Sequence, residues 1–170
     1  MSILLMGKVT LETSRFGVVE IEENSVLSFY KPILGFERLN RFTLLDHQPD
    51  SPFKWLQSIE DGELAFVVTH PGLFGIHYEF EIPDAAVEAL DIQDVAEVLV
   101  LSLVTIPEQD PSQMTANLTA PIVINQRNYR AMQLVLDSDK YGLKTPLLGH
   151  LEVLSGEAGE AGEVDEVEEG

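Results

Sequence analysis

The sequence has no cysteine, and that absence removes disulfide staples, thiol nucleophiles and thiolate metal sites together. Basic residues are scarce as well: ten Lys plus Arg stand against 29 Asp plus Glu, a formal charge of −19. Such a surface repels phosphate, so no direct nucleic-acid or anionic-membrane binding is expected, and a basic partner is favoured. Seven of the acids (Glu157, Glu160, Glu163, Asp165, Glu166, Glu168, Glu169) lie in residues 155–170; removing them from −19 leaves −12, so the acidity is not merely a property of the tail. Long hydrophobic runs are missing too. Unbroken apolar stretches such as residues 98–101 are far too short to cross a bilayer. Residues 1–6 are apolar but lack the basic n-region and the h-region length of a signal peptide, so a cytoplasmic location is expected.

What is present describes one domain. At 170 residues and 45% hydrophobic, the chain can bury on the order of 70% of the surface its unfolded form exposes. Val9, Leu11, Val19 and Ile21 alternate around the turn-like Ser14-Arg15-Phe16-Gly17, the pattern of a hairpin with one buried face. Strands are predicted at residues 26–29, 42–45, 53–59 and 64–69, with Asp61-Gly62 as the turn between the last two. Tyr78, Phe80 and Ile82 alternate with Glu79 and Glu81, which predicts a strand with a carboxylate-bearing outer face. Pro83-Asp84 suits a helix start, with Val87 and Leu90 turned inward over residues 85–90. Residues 98–106 lack alternation and are rich in β-branched side chains, as in a central strand covered on both faces. Residues 117–125 and 131–136 read as a last strand pair around Gln126-Arg127-Asn128-Tyr129. Eight or nine short strands without a βαβ rhythm predict a mainly β chain: a small antiparallel β-barrel-like or sandwich domain with one or two short helices. This domain is placed at residues 1–150. Residues 151–170, poor in bulky apolar groups, are expected to form an acidic, disordered tail.

Catalysis needs a nucleophile, a base or a metal within mutual reach, and the sequence assembles none. His70 and His77 are separated by Pro71, Gly72 and Gly75 in a spacing that matches no common zinc arrangement. His47 sits beside Asp46 and Asp50 in a proline-flanked loop, which reads as a solvated loop before it reads as an oxygen-rich metal site. Glu60, Asp61, Glu79 and Glu81 belong to so acidic a chain that pairing them as hydrolase carboxylates carries little weight. No phosphate-binding glycine loop, serine elbow or dinucleotide fingerprint occurs. No enzyme, cofactor or metal is expected.

One residue and one segment are candidates for partner contact, and the segment is specified beyond what a scaffold requires. Trp55, the single tryptophan, suits either an interface anchor or the core. Residues 114–125 carry Pro121 inside an otherwise strand-like run, which favours a sheet edge or bulge where another chain can add main-chain hydrogen bonds. The alternative is an edge covered by the chain's own loops.

Ser51-Pro52-Phe53-Lys54-Trp55-Leu56-Gln57-Ser58-Ile59-Glu60-Asp61, then Leu64-Ala65-Phe66-Val67-Val68, then Met114-Thr115-x-Asn117-Leu118-x-Ala120-Pro121-Ile122-Val123-Ile124-Asn125 together resemble the FliW flagellar assembly factors. Arg15-Phe16-Gly17 and Gln133-Leu134-Val135-Leu136 extend the resemblance to residues 9–147. Phe29-Tyr30-Lys31-Pro32-Ile33-Leu34-Gly35-Phe36-Glu37 departs from the family pattern by moving its prolines and losing a glycine. The resemblance implies a β-barrel-like cytoplasmic protein that binds flagellin. Once flagellin is exported, it is freed to bind and antagonise CsrA, a small basic RNA-binding translational repressor, so that flagellin translation resumes. The alternative is a dedicated flagellin export chaperone without a translational role. Patterning nominates Trp55, Gln57, Ser58, Met114, Thr115, Asn117 and Asn125 as partner contacts, on a chain expected to be monomeric when unbound.

Overall fold

The computed structural model describes residues 7–46 and 48–148. The tail expected at residues 151–170 and the loop residue His47 lie outside the described residues. The chain opens with a hairpin of β1 (Lys8–Thr13) and β2 (Gly17–Glu22). Val9 pairs with Ile21 and Leu11 with Val19, so the alternating apolar residues share one face as their period of two requires. Thr13 closes the turn by donating its hydroxyl to the Gly17 carbonyl and accepting from the Phe16 N–H, both at 2.8 Å. Gly17 takes a positive φ of 69° there, a conformation glycine adopts without steric cost.

Seven further strands close a barrel. In spatial order they are β3 (Leu27–Lys31), β4 (Arg41–Asp46), β5 (Phe53–Ser58), β6 (Ala65–Thr69), β7 (Val98–Thr105), β9 (Ile122–Asn125) and β10 (Arg130–Gln133). β10 returns to β3 as the one parallel pair among the described residues, and the β7–β9 pairing completes the ring. Two short strands, β8 (Thr115–Ala116) and β11 (Thr145–Pro146), extend outward from β7. Inside the barrel sit Leu27, Phe29, Phe42, Leu56, Val68, Leu101, Ile122, Ile124 and Ala131. Two further apolar clusters flank this core. One gathers Phe74, Ile76, Met114, Ala116, Leu118 and Leu147; the other packs Ala86 and Leu90 on Val123, Met132 and Leu134.

The strand at residues 98–106 forms as β7 and ends one residue earlier. Its odd-numbered leucines, Leu99, Leu101 and Leu103, face the barrel core, while Val98 and Val104 join the outer clusters. Both faces of the strand therefore meet apolar neighbours, and the alternation is lost. The helix α1 spans Asp84–Ala89 behind Pro83. Its buried contacts come from Ala86 and Leu90, whereas Val87 is half-buried.

Two expectations need correction. Residues 78–82 form no strand ladder; Phe80 and Ile82 instead pack onto the outer cluster that includes Ala86 and Leu90. Residues 117–121 are likewise not strand. Asn117 Oδ1 accepts from the Thr119 and Ala120 N–H groups at 3.0 and 3.1 Å, a local turn that competes with ladder pairing. Among the described residues no helix is long and apolar enough to cross a membrane.

Candidate partner-binding surface

Period two turns Leu56 into the barrel and Trp55 and Gln57 outward. The opening hairpin folds over that outward face. The Arg15 guanidinium lies 4.3 Å from the Trp55 ring centroid, and the Phe16 ring meets it edge-on at 5.8 Å. Trp55 is thus half-buried beneath the chain's own turn. Gln57 is fully buried, and its Nε2 donates to the carbonyls of Ser58, Gly62 and Leu64 at 3.1, 3.2 and 3.0 Å. Ser58, also buried, accepts the Glu60 and Asp61 N–H groups at 3.1 and 2.9 Å. These bonds shape the β5–β6 turn so that the Gly62 carbonyl receives the Ser14 N–H at 3.1 Å. Gly62 has a packing reason beyond its turn propensity: a Cβ there would overlap the Glu12 carbonyl oxygen.

The second nominated segment is not a free edge. β8 lies between β7 and β11, and β9 between β7 and β10. Met114 is buried in an outer cluster, and Thr115 is half-buried with its main chain in two ladders. Asn117 is half-buried and holds the turn described above. Asn125 is fully buried. Its Nδ2 donates to the Leu90 and Asp91 carbonyls at 2.8 and 3.1 Å, and its Oδ1 accepts the Arg127 N–H at 2.9 Å. It therefore ties the end of α1 to the barrel wall. The Trp55 group and the Asn125 group belong to different parts of the barrel wall, and in this conformation the side chains of Gln57, Ser58 and Asn125 present no surface for a partner to touch.

Pro121 acts one residue before β9. Continuing the register of Gln133 with Ile122, Leu134 faces Pro121 and Leu136 faces Thr119; their N–H groups reach those carbonyls at 2.9 and 2.8 Å. Pro121 has no N–H to return, so the ladder lapses there into one-sided bonds.

An open groove of about 620 Å³, missed in the sequence, lies between residues 79–84 and 134–138. Phe80, Ile82, Leu134 and Leu136 give it apolar lining, and Glu79, Glu81, Asp84 and Asp137 give it negative charge. Tyr141 closes one end, donating to the Glu79 carbonyl at 2.9 Å and accepting the Glu79 N–H at 2.8 Å. Beside it, the Tyr78 hydroxyl donates to the Leu118 carbonyl at 2.6 Å. Burial, reinforced by Tyr141, pushes that phenol well above its ordinary range. The alternation of Tyr78, Phe80 and Ile82 with Glu79 and Glu81 was the available signal, but it reads equally as a strand.

His70 is exposed, with Nδ1 3.0 Å from the Val100 carbonyl, and His77 pairs at 3.2 Å with Glu79. Among the described residues no three His, Asp or Glu side chains gather as a metal site.

The family profile described as FliW protein matches residues 10–147. The chain is 44% identical to the flagellar assembly factor FliW of Caldanaerobacter subterraneus, over 84% of this chain and 95% of that protein. It is 41% identical to the factor of the same name from Thermoanaerobacter pseudethanolicus, with the same coverage. A crystal structure of the flagellar assembly factor FliW superposes with a TM-score of 0.74 at 33% identity, covering 83% of this chain and 96% of that one.

Proposed function

Since the chain belongs to the FliW family, we propose that it is a cytoplasmic flagellar assembly factor that binds flagellin and, when flagellin has been exported, binds and antagonises CsrA. Relief of CsrA repression would then make flagellin synthesis track its export. The protein acts by stoichiometric docking and turns over no substrate. The observation that supports this reading is the family match across residues 10–147, carried by a chain of net charge −19.

Charge supplies the mechanism. A repressor that holds RNA through cationic side chains gains affinity from the counterions each phosphate contact releases. An acidic barrel docked beside that surface lowers its positive potential and disfavours RNA without covering the RNA site. Of the nominated residues, Trp55, Thr115 and Asn117 are accessible enough to meet a partner, while Gln57, Ser58, Met114 and Asn125 act by holding those surfaces in shape. The test is RNA displacement from CsrA at rising ionic strength, with the protein complex kept saturated. Antagonism that fades with salt is expected. Antagonism that stays constant overturns the electrostatic mechanism in favour of steric blocking.

A further inference from the structure

The groove between residues 79–84 and 134–138 combines three properties whose conjunction points to a ligand. The first is an interrupted sheet. β3 runs parallel to β10 as far as Lys31 beside Met132. The ladder ends there, and Pro32 leads into a turn closed by the Phe36 N–H on the Ile33 carbonyl at 2.8 Å, with the Leu34 N–H held by the Gln133 side-chain oxygen at 2.7 Å. The line of β10 nevertheless continues as an extended segment, with Leu134 and Leu136 bonded to Pro121 and Thr119. By the alternation of an antiparallel pair, the N–H and C=O of the intervening Val135 point away from those partners. Val135 is 58% exposed and lines the groove.

The second property is apolar lining from both walls, Phe80 and Ile82 facing Leu134 and Leu136. The third is charge. Residues 55–126 hold twelve acids and no Lys or Arg, and three of those acids, Glu79, Glu81 and Asp84, stand on one wall opposite Asp137. Lys140 is the one basic residue among those lining the groove.

We infer that this groove is a docking site for an extended cationic peptide segment of a partner protein, which lies alongside Val135 by main-chain pairing and sets lysine or arginine against Glu81, Asp84 and Asp137. Main-chain bonds at an interrupted edge supply affinity, and alternate side chains supply selectivity. An acidic segment, including a second copy of this chain's own acid-rich sequence, is repelled. The inference rests on the reading of the chain as a docking protein and adds the surface and the chemistry of what it receives.

The test titrates the full chain with a blocked peptide of alternating lysine and valine, read from amide shifts in 15N-labelled protein. Shifts confined to residues 79–84 and 134–141 are expected. A variant carrying Glu81→Gln, Asp84→Asn and Asp137→Asn should bind about 10-fold more weakly, from the loss of three solvent-exposed pairings. A second variant, with Glu12→Gln, Glu22→Gln and Asp50→Asn, removes the same charge from exposed positions elsewhere and should stay within about 2-fold of the original. N-methylation of alternate peptide residues should abolish binding. Equal weakening by both charge variants, or full binding of the N-methylated peptide, overturns the proposal. Capture of flagellin and CsrA by the unaltered protein is scored in parallel: intact capture with no peptide binding overturns the groove alone, and failed capture with groove-confined shifts overturns the functional reading alone.

Discussion

Replacing Asn125 by alanine separates a residue that holds the fold from one that touches a partner. Its side chain is fully buried and makes three hydrogen bonds, two to carbonyls at the end of α1 and one from the Arg127 N–H. A buried hydrogen bond contributes about 1 kcal/mol net, and a buried group left unpaired costs more. The Leu90 carbonyl keeps a second donor in Asn128 Nδ2 at 3.0 Å, and the Asp91 carbonyl keeps the Arg127 guanidinium. The Arg127 N–H, in contrast, loses the acceptor it has among the described residues. The expected destabilisation is therefore ~2–3 kcal/mol. With a urea slope of about 2 kcal/mol per molar for a domain of this size, the midpoint should fall by roughly 1 M. Flagellin and CsrA capture, measured well below the transition, should stay intact. A midpoint shift equivalent to less than ~0.5 kcal/mol, or lost capture by a folded variant, would refute the structural role.

Gly62→Ala should cost ~1–3 kcal/mol by forcing apart the β5–β6 turn and the Glu12 backbone; unchanged thermal stability would show that the hairpin yields freely. Phe16→Ala removes the edge-on contact from the single tryptophan, so Trp55 emission should shift to the red while far-ultraviolet circular dichroism is retained. An unmoved spectrum would place the shielding of Trp55 elsewhere. The Asp91 carboxyl is held below its usual range chiefly by the hydrogen bond from Arg127. A lowered native value stabilises the fold above the ordinary carboxylate range and is lost as pH falls through it. The melting-temperature gap between the protein and its Asp91→Asn variant should therefore be complete at neutral pH and close below about pH 4. A gap that persists in acid contradicts the pairing. Asn117→Ala removes the acceptor of two main-chain N–H groups and should cost ~1–2 kcal/mol in chemical denaturation; no loss would show that the turn holds itself.

The individual strands were legible because their signals were local. Alternation in residues 9–21 and the Asp61-Gly62 turn each specify a hairpin, and the unalternating run of β7 reports a strand with apolar neighbours on both faces. Residues 78–82 misled because packing on α1 and Leu134 produces the same alternation as a ladder does. The partner surface was harder to read for a related reason. Gln57, Ser58, Asn117 and Asn125 are polar residues in apolar stretches, a pattern shared by contact residues and by side chains that satisfy buried main-chain groups. Only the three-dimensional hydrogen-bond partners distinguish the two. The acidic groove depends on residues 79–84 meeting residues 134–138, a non-local event that neither bordering segment encodes alone.

On the proposed function, this molecule works by occupying two partners in turn. The direct measurement mixes the purified protein with flagellin and with CsrA, separately and in competition, and reads complex size by light scattering on a sizing column. Each partner alone should form a discrete complex at micromolar concentration, and added flagellin should release CsrA. A protein that elutes alone in both mixtures contradicts the claim outright.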